Sequence, residues 1–586
     1  MPFLDILKEE ELGGVLEKYL APVRFPRDAC IMREGDPGEG CYIIDEGTVR
    51  LEVRNLETDT DSVLGFLEPI IFVGEFGLLD GKPREATAYA HTDVKARYFS
   101  KESYDELCTN YPRMALTIAT TLGQNLVEKL REANEKVAGY IFTGDIDRDT
   151  DEMVDRAQKA QRLFASWTED RVDALLKEIA ESIAAKAEEL ATATVTETKM
   201  GVVADKVIKI GFASLDVYKG VAGHLATGFL TDSQARISEI ACPVGVVFGL
   251  IPVTNPVPTI VFKTIICLKG RNALILSCHR DALGVGRQAC DIIRSVIERC
   301  GAPQDLVQPV LRRSSRQKTV MFMSHPGVAL ILATGGASMV KAAYSSGTPA
   351  IGVGAGNAPV LICADADIPQ SAQGIVKSKS FDNGIICGSE NNLVVVSEIR
   401  DEFIKQLEAS GAVILTADEK NRFTPEVFES DSPTLKKAMV GKSAQFMANQ
   451  AGIHRDSDIH LIVVPTRLDE LKGPYGHEKL APILSLYTVN DEVEGIQFCK
   501  QILDSQGSGH TAVIYTKDRE LMSKFGQEID ASRILVNAPS SFGCIGIGTG
   551  LTPSFTLGCG TFGGTSTTDN VTYTHLLNIK RLSQNS

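Results

Sequence analysis

The chain changes its patterning once, near residue 145, and that change limits the folds open to it. Before it, short runs alternate apolar and polar residues between Gly, Pro and Asp turns; after it, helix-forming stretches alternate with Val/Ile/Leu runs. Period-two strands joined by tight turns build an antiparallel β domain, whereas helices alternating with apolar runs build parallel sheets covered by helices. Between the two lies Thr143-Gly144-Asp145-Ile146-Asp147-Arg148-Asp149-Thr150-Asp151-Glu152, acidic and poor in large apolar residues, which reads as a linker over 143–152. Ser103 to Ala138, just before it, is helix-forming with a break at Pro112. Met153 to Thr192, just after it, reads as an amphipathic helical region through Trp167, Val172, Leu175, Leu176 and Ile179.

Composition narrows the function classes. A chain of 586 residues, 44% hydrophobic and 23% charged, is ordinary for a globular protein and long enough to bury large cores without staples. The net charge of −15, with no basic cluster, argues against nucleic acid or an anionic membrane as partner. Thirteen cysteines are scattered without a Cys-x-x-Cys pair, which fits a reducing cytoplasm better than a secreted framework, and no metal site is expected. The start, Met1-Pro2-Phe3-Leu4-Asp5, lacks the basic and apolar regions of a signal peptide. Ile240 to Phe262 carries no charge over 23 residues, long enough to span a bilayer, but Pro243, Pro252, Pro256 and Pro258 would break a spanning helix. A buried strand running into an active-site loop is expected there.

In the first part, Gly35-Asp36-Pro37-Gly38 sits between apolar strands and precedes Tyr42-Ile43-Ile44-Asp45-Glu46-Gly47-Thr48-Val49, a hairpin pattern. Further on comes Gly74-Glu75-Phe76-Gly77-Leu78-Leu79-Asp80-Gly81-Lys82-Pro83-Arg84-Glu85-Ala86. An Arg beside backbone N–H groups suits one phosphate, and a nearby carboxylate suits ribose hydroxyls. Together these segments resemble a cyclic nucleotide-binding domain of the catabolite-activator and protein-kinase regulatory type, over about residues 10–138. The resemblance implies a β jelly roll in which Glu75 holds the ribose 2′-hydroxyl and Arg84 the cyclic phosphate of cyclic AMP or cyclic GMP, within a cassette of Gly74, Glu75, Arg84, Glu85 and Ala86. Glu85 departs from the small residue usual beside the phosphate and would repel it unless turned to solvent. The alternative is a jelly roll that binds no nucleotide and only packs or dimerises.

In the second part, Cys387 stands in Phe381-Asp382-Asn383-Gly384-Ile385-Ile386-Cys387-Gly388-Ser389-Glu390, bracketed by glycines ahead of an apolar strand. Cys267, Cys278 and Cys363 lie in apolar runs and read as small buried hydrophobes. Pro252-Val253-Thr254-Asn255-Pro256 ends an apolar run in a turn that exposes an amide. Ile331 to Lys341 reads as strand, glycine turn, then helix, suited to a dinucleotide. Gly352-Val353-Gly354-Ala355-Gly356-Asn357 and Thr556 to Gly564 are further glycine-rich loops.

In this order, with Met200-Gly201, Asp205-Lys206-Val207-Ile208-Lys209, His477-Glu478-Lys479-Leu480-Ala481-Pro482 and Gly509-His510-Thr511, they resemble an aldehyde dehydrogenase of the CoA-acylating branch over about residues 151–580. The nearest likeness is the aldehyde dehydrogenase half of bifunctional aldehyde–alcohol dehydrogenases. The resemblance implies an α/β fold with a Rossmann-like cofactor lobe over 153–354, a catalytic lobe over 355–545 and a C-terminal segment over 546–586. It implies Cys387 as nucleophile, Asn255 as oxyanion donor with the Cys387 N–H, and His510 as proton acceptor for coenzyme A. Glu478 would grip the nicotinamide ribose of NAD, and Thr334, Gly335 and Gly336 would lie near the pyrophosphate. Ser277 stands where hydrolytic members have an adenosine-binding Lys, and Val353 where they have a water-activating Glu.

A protruding hairpin over 226–240 and a last strand near Asn570 to Leu577, joining a partner's sheet, are expected to make a homodimer or higher oligomer. The expected reaction is aldehyde, NAD and coenzyme A to acyl-CoA and NADH, and its reverse, with acetaldehyde or a functionalised aldehyde such as sulfoacetaldehyde as substrate. Its rivals are a hydrolytic dehydrogenase and a non-catalytic nucleotide sensor on an enzyme scaffold.

Overall fold

The computed structural model describes residues 14–55, 60–67, 71–231, 236–310, 316–430 and 432–584. It divides into two compact units, 1–143 and 144–586. In the first unit, strands between Ala21 and Ser100 form two four-stranded antiparallel sheets. Period-two alternation does the sorting at the start of Val94–Ser100, where Val94 and Ala96 turn in beside Ile44 and Val49, while Cys41, Ile43, Phe72 and Phe99 cluster with Leu107 and Ile118 from the helices that follow. Ser100 caps the helix Lys101–Asn110 by accepting from Ser103 N at 3.0 Å.

The expected linker over 143–152 is instead helical, part of one helix from Pro112 to Phe164. Acidity without proline does not stop a helix, and Arg148 and Glu152, four residues apart, pair at 3.0 Å. The last turns of this helix bury Val154, Ala157, Ala160 and Phe164 in the core of the second unit, a tertiary gain that outweighs the roughly 1 kcal/mol cost of Gly144.

The second unit is built on two parallel sheets, whose strands are numbered here from the first of them. The first sheet holds β1 (Val246–Ile251), β2 (Ala273–Cys278), β3 (Val307–Pro309), β4 (Leu330–Ala333) and β5 (Ala350–Gly352) in the order β3-β2-β1-β4-β5. The second holds β6 (Ala358–Ile362), β7 (Glu390–Val396), β8 (Ala412–Ile414), β9 (Leu461–Pro465), β10 (Ile483–Val489), β11 (Gly509–Tyr515) and β12 (Ala531–Val536) in the order β8-β9-β10-β7-β6-β11-β12. Both have apolar central strands, as sheets covered on both faces require.

The uncharged stretch 240–262 is the end of the strand Ile237–Pro243, then β1, a loop, and the start of the helix Pro256–Lys269. Pro256 and Pro258 sit in that helix's first turn, where a missing N–H costs nothing, so the prolines start a helix there instead of breaking one. Among the described residues no helix is long and apolar enough to cross a membrane.

A small antiparallel sheet joins Gly228–Phe229, Ile237–Pro243 and the last strand, Leu577–Ser583. This corrects the position of the last strand, expected near Asn570 to Leu577. The strand begins at Leu577, after a short turn at Tyr573–Leu576, and pairs with Ile237–Pro243 of its own chain. Residues 232–235 of the expected hairpin lie outside the described residues.

Candidate active site and nucleotide cassette

In the first parallel sheet, strand order reverses between β1 and β4, and loops leaving adjacent strand ends at such a point part to form a crevice. Asn255 follows β1 and Thr334, Gly335 and Gly336 follow β4, so both sets emerge there. The buried Lys263 ties the two strand ends together, donating to Leu250 O and Leu332 O at 2.7 Å each. Gly335 and Gly336 are exposed, with open space beside Gly336, and the buried Thr334 Oγ1 has no hydrogen-bond partner among the described residues. An orphaned hydroxyl beside a bare glycine turn at a helix start fits a dinucleotide pyrophosphate. Ser277 lies buried at the C-terminal end of β2 on the same sheet edge.

The nucleophile candidate comes from the second sheet. Cys387 precedes β7 and is half-buried. The glycine loop between β5 and β6 lies directly against it: a methyl on Gly356 would sit 1.6 Å from the Cys387 carbonyl oxygen. Gly356 N donates to Glu478 Oε1 at 3.2 Å, which brings a second expected residue to the same place. Burial pushes the Cys387 thiol up to about 12; the Glu478 carboxylate adds to the rise and the Arg533 guanidinium opposes it. Burial also pushes Glu478 up to about 7, against the pull of Lys379.

His510 is fully buried beside this loop, its Cε1 3.5 Å from where a methyl on Gly388 would lie. Its Nδ1 is 2.8 Å from Thr511 Oγ1, and its Nε2 is buried with no hydrogen-bond partner among the described residues. Burial first, then the Arg533 charge, holds its pKa well below the usual value, so the imidazole stays neutral. Val353 is buried, its N–H donating to Ala333 O at 3.3 Å.

Asn255 faces the same loop from the first sheet. Its Nδ2 donates to Ile385 O at 3.0 Å, and its Oδ1 accepts from Lys209 Nζ at 2.8 Å. The structure therefore brings Cys387, Asn255, His510 and Glu478 to one loop, with Thr334, Gly335, Gly336 and Ser277 along the sheet edge.

Three groups had no role in the sequence reading. Asp382 is buried under Lys206 and Lys209, at 3.0 and 2.6 Å. Arg533, also buried, donates to His510 O and Gly558 O at 2.7 Å each and so joins the His510 strand to the last glycine loop. Cys544 lies under Gly388, its Sγ 2.4 Å from where a methyl on that residue would sit. The two lysines, three apart on a helix, carried a faint signal because that spacing places them on one face. Arg533 carried none.

In the first unit, Gly74 takes a left-handed conformation (φ 79°) before the short helix Glu75–Asp80. Arg84 and Glu75 are both buried, and Arg84 Nη1 donates to Gly74 O at 2.6 Å. Burial raises the Tyr42 and Tyr98 phenols, and the nearby Arg84 charge opposes that rise. Glu85 is exposed and Ala86 half-buried, so the extra carboxylate does turn to solvent.

The pattern of the aldehyde dehydrogenase family matches residues 120–574, and that of the cyclic nucleotide-binding domain matches residues 22–111. The chain belongs to the aldehyde dehydrogenase family and carries a cyclic nucleotide-binding domain ahead of the enzyme unit. It is 38% identical over 442 residues to the bifunctional aldehyde–alcohol dehydrogenase of Escherichia coli, covering 74% of this chain and 49% of that protein. It thus spans about half the length of such curated relatives. It is 34% identical to a sulfoacetaldehyde dehydrogenase of an Acholeplasma species, over 74% of this chain and 90% of that one. The structure matches an acetylating aldehyde dehydrogenase from Geobacillus thermoglucosidasius with a TM-score of 0.73 and 38% identity, over 75% of this chain and 97% of that one.

Proposed function

We propose that the second unit converts a small aldehyde, NAD and coenzyme A to acyl-CoA and NADH, and runs the reverse. The observation that carries this reading is the convergence of Cys387, Glu478, His510 and Asn255 on one loop, with an aliphatic Val353 where hydrolytic relatives need a carboxylate. Bound NAD would supply the hydride acceptor, with Glu478 at its ribose and Thr334, Gly335 and Gly336 near its pyrophosphate.

Cys387 sulfur attacks the aldehyde carbon, and the carbonyl oxygen becomes the thiohemiacetal oxygen. The second N–H of Asn255 Nδ2, not spent on Ile385, and the Cys387 N–H hold the developing charge on that oxygen. The hydride would pass to NAD and the hydroxyl proton to solvent, which leaves a thioester on Cys387. Buried Val353 offers no base to water, so the thioester waits for a thiol. Neutral His510, with Nε2 unpaired among the described residues, takes the thiol proton of coenzyme A as its sulfur attacks the acyl carbon, and Cys387 leaves as thiolate. Glu478, ionised above about pH 7, accepts from the ribose hydroxyls of the cofactor.

NADH formation across a panel of short aldehydes, with and without coenzyme A, tests this. Sustained NADH and acyl-CoA only when coenzyme A is present supports it, with roughly one burst per site without it. Steady release of free acid without any thiol refutes it in favour of hydrolysis, and no NADH with any aldehyde refutes it in favour of a scaffold. Acetaldehyde is the first substrate of the panel and sulfoacetaldehyde the second, since both chemistries appear among the named relatives.

The first unit is a regulatory domain that binds a cyclic nucleotide, the phosphate at Arg84 and the ribose at Glu75. The outward Glu85 and the buried Arg84 support this. The enzyme works in the cytoplasm as a homodimer or larger assembly, with the sheet of Ile237–Pro243 and Leu577–Ser583 as the pairing edge.

A further inference from the structure

We propose that Lys209 is a positioning residue: it orients the Asn255 amide and the backbone ahead of Cys387 as one piece, and so forms the oxyanion site. This rests on the reaction proposed above. An ammonium has three N–H donors, and each has a named acceptor here: Asp382 Oδ2 at 2.6 Å, Asn255 Oδ1 at 2.8 Å and Ile385 O at 3.1 Å. Two of those acceptors come from the nucleophile's loop and one from the turn after β1. Asn255 Nδ2 donates to the same Ile385 carbonyl at 3.0 Å, so amide, ammonium and carbonyl close a ring two residues ahead of Cys387.

This ring steadies a backbone that would not hold its shape alone. Asp382 (φ 49°), Asn383 (φ 53°) and Gly384 (φ 71°) are consecutive left-handed residues, and left-handed backbone costs about 1–2 kcal/mol at each non-glycine position. Asp382 offsets that cost through four hydrogen bonds: Oδ2 accepts from Lys206 and Lys209, Oδ1 accepts from Val202 N at 2.7 Å, and its own N–H donates to Asp205 Oδ2 at 2.7 Å. Gly201 makes the approach possible, since a methyl there would meet Asp382 Oδ1 at 2.0 Å. The cluster holds two cations, Lys206 and Lys209, and two carboxylates, Asp205 and Asp382. Lys209 is the lysine that reaches Asn255. Its charge on Oδ1 draws electron density through the amide and makes the remaining Nδ2–H a stronger donor toward the reacting oxygen.

Lys206 supplies the control. It is equally buried, at 3% exposed against 1%, and binds the same Asp382 oxygen, but its other bond runs to Thr254 O. Two readouts separate this proposal from the reaction it rests on. One is NADH turnover with aldehyde and coenzyme A; the other is the burst of nitrophenolate when p-nitrophenyl acetate acylates Cys387, which needs neither NAD nor coenzyme A. Wild type without NADH but with a burst refutes the dehydrogenase reading and leaves this test intact.

For Lys209→Met, kcat and the burst rate should fall roughly 10- to 100-fold while both KM values stay within threefold, as for a misplaced reacting geometry. Lys206→Met should cost at most a few-fold. In an Asn255→Ala background, Lys209→Met should add clearly less than it does alone, because the share of its effect that passes through that amide is already lost. Equal losses for the two lysines, a loss confined to KM, or full multiplication in the double variant overturns the proposal. Should Lys209→Met fail to fold, Lys209→Gln, which keeps a neutral donor, is judged by the same criteria.

Discussion

Replacing Gly356 by alanine adds one methyl group where the structure has no room for it. The new Cβ would lie 1.6 Å from the Cys387 carbonyl oxygen and 2.6 Å from its carbon, whereas real contacts of this kind begin near 3.0 Å. About 1.4 Å of movement is therefore required, and neither partner is a flexible side chain. The Cys387 side is fixed by β7, which follows it, and the Gly356 side by its N–H bond to Glu478 and by β6. Displacement of a reacting group by about 1 Å costs on the order of 100-fold in rate, or about 2.7 kcal/mol of barrier. Gly356→Ala should thus lower kcat at least that far. Thermal unfolding should show a stability loss of about 1–3 kcal/mol, the usual cost of overpacking. The assay is NADH formation at saturating aldehyde, NAD and coenzyme A, beside the rate of Cys387 alkylation by iodoacetamide. A kcat within fivefold of wild type, with unchanged alkylation, would show that the two loops do not meet as described.

Cys387→Ala should abolish NADH formation while NAD still binds by calorimetry; activity within a few-fold of wild type would send the search to Cys544 or Cys559. Because burial raises Glu478 to about 7, its carboxylate gains a proton as pH falls through that value, and KM for NAD should rise below pH 7. The same buried carboxyl costs stability as pH rises from the ordinary carboxylate range through about 7, because ionising it in the interior is unfavourable. Glu478→Gln should flatten the KM profile, and a slope that survives in that variant assigns it elsewhere. Calorimetry should show cyclic AMP or cyclic GMP binding to wild type and binding at least tenfold weaker in Arg84→Ala, whose guanidinium is the phosphate ligand. No binding of either nucleotide at millimolar concentration would make the first unit a structural module.

The two-part construction, the parallel-sheet architecture and the strand–turn–helix at Ile331 were all legible in the sequence, because periodicity and glycine placement are local properties. The residues around Cys387, Glu478 and His510 were legible through the resemblance of their segments to acylating aldehyde dehydrogenases. Charge composition alone did not say whether 143–152 was a linker or a helix. That segment is helical because its far end buries Val154, Ala157, Ala160 and Phe164 in a core assembled from distant strands. Pro256 looked like a helix breaker and begins a helix, since what matters is its place in the first turn. The last strand's partner was likewise a tertiary decision: Ile237 and Ser583 lie far apart in the sequence and meet as register partners.

The Asp382–Lys209–Asn255 ring lay furthest from sequence reading. Its members come from three segments, and two lysines on an apolar helix look like an ordinary solvated edge until the fold buries them over one carboxylate. The sequence by itself determined which chemistry the chain can carry, because residue types and local turns fix that. Only the tertiary structure decided which groups act on one another, because a hydrogen bond of 2.8 Å between Lys209 and Asn255 depends on how separate segments pack.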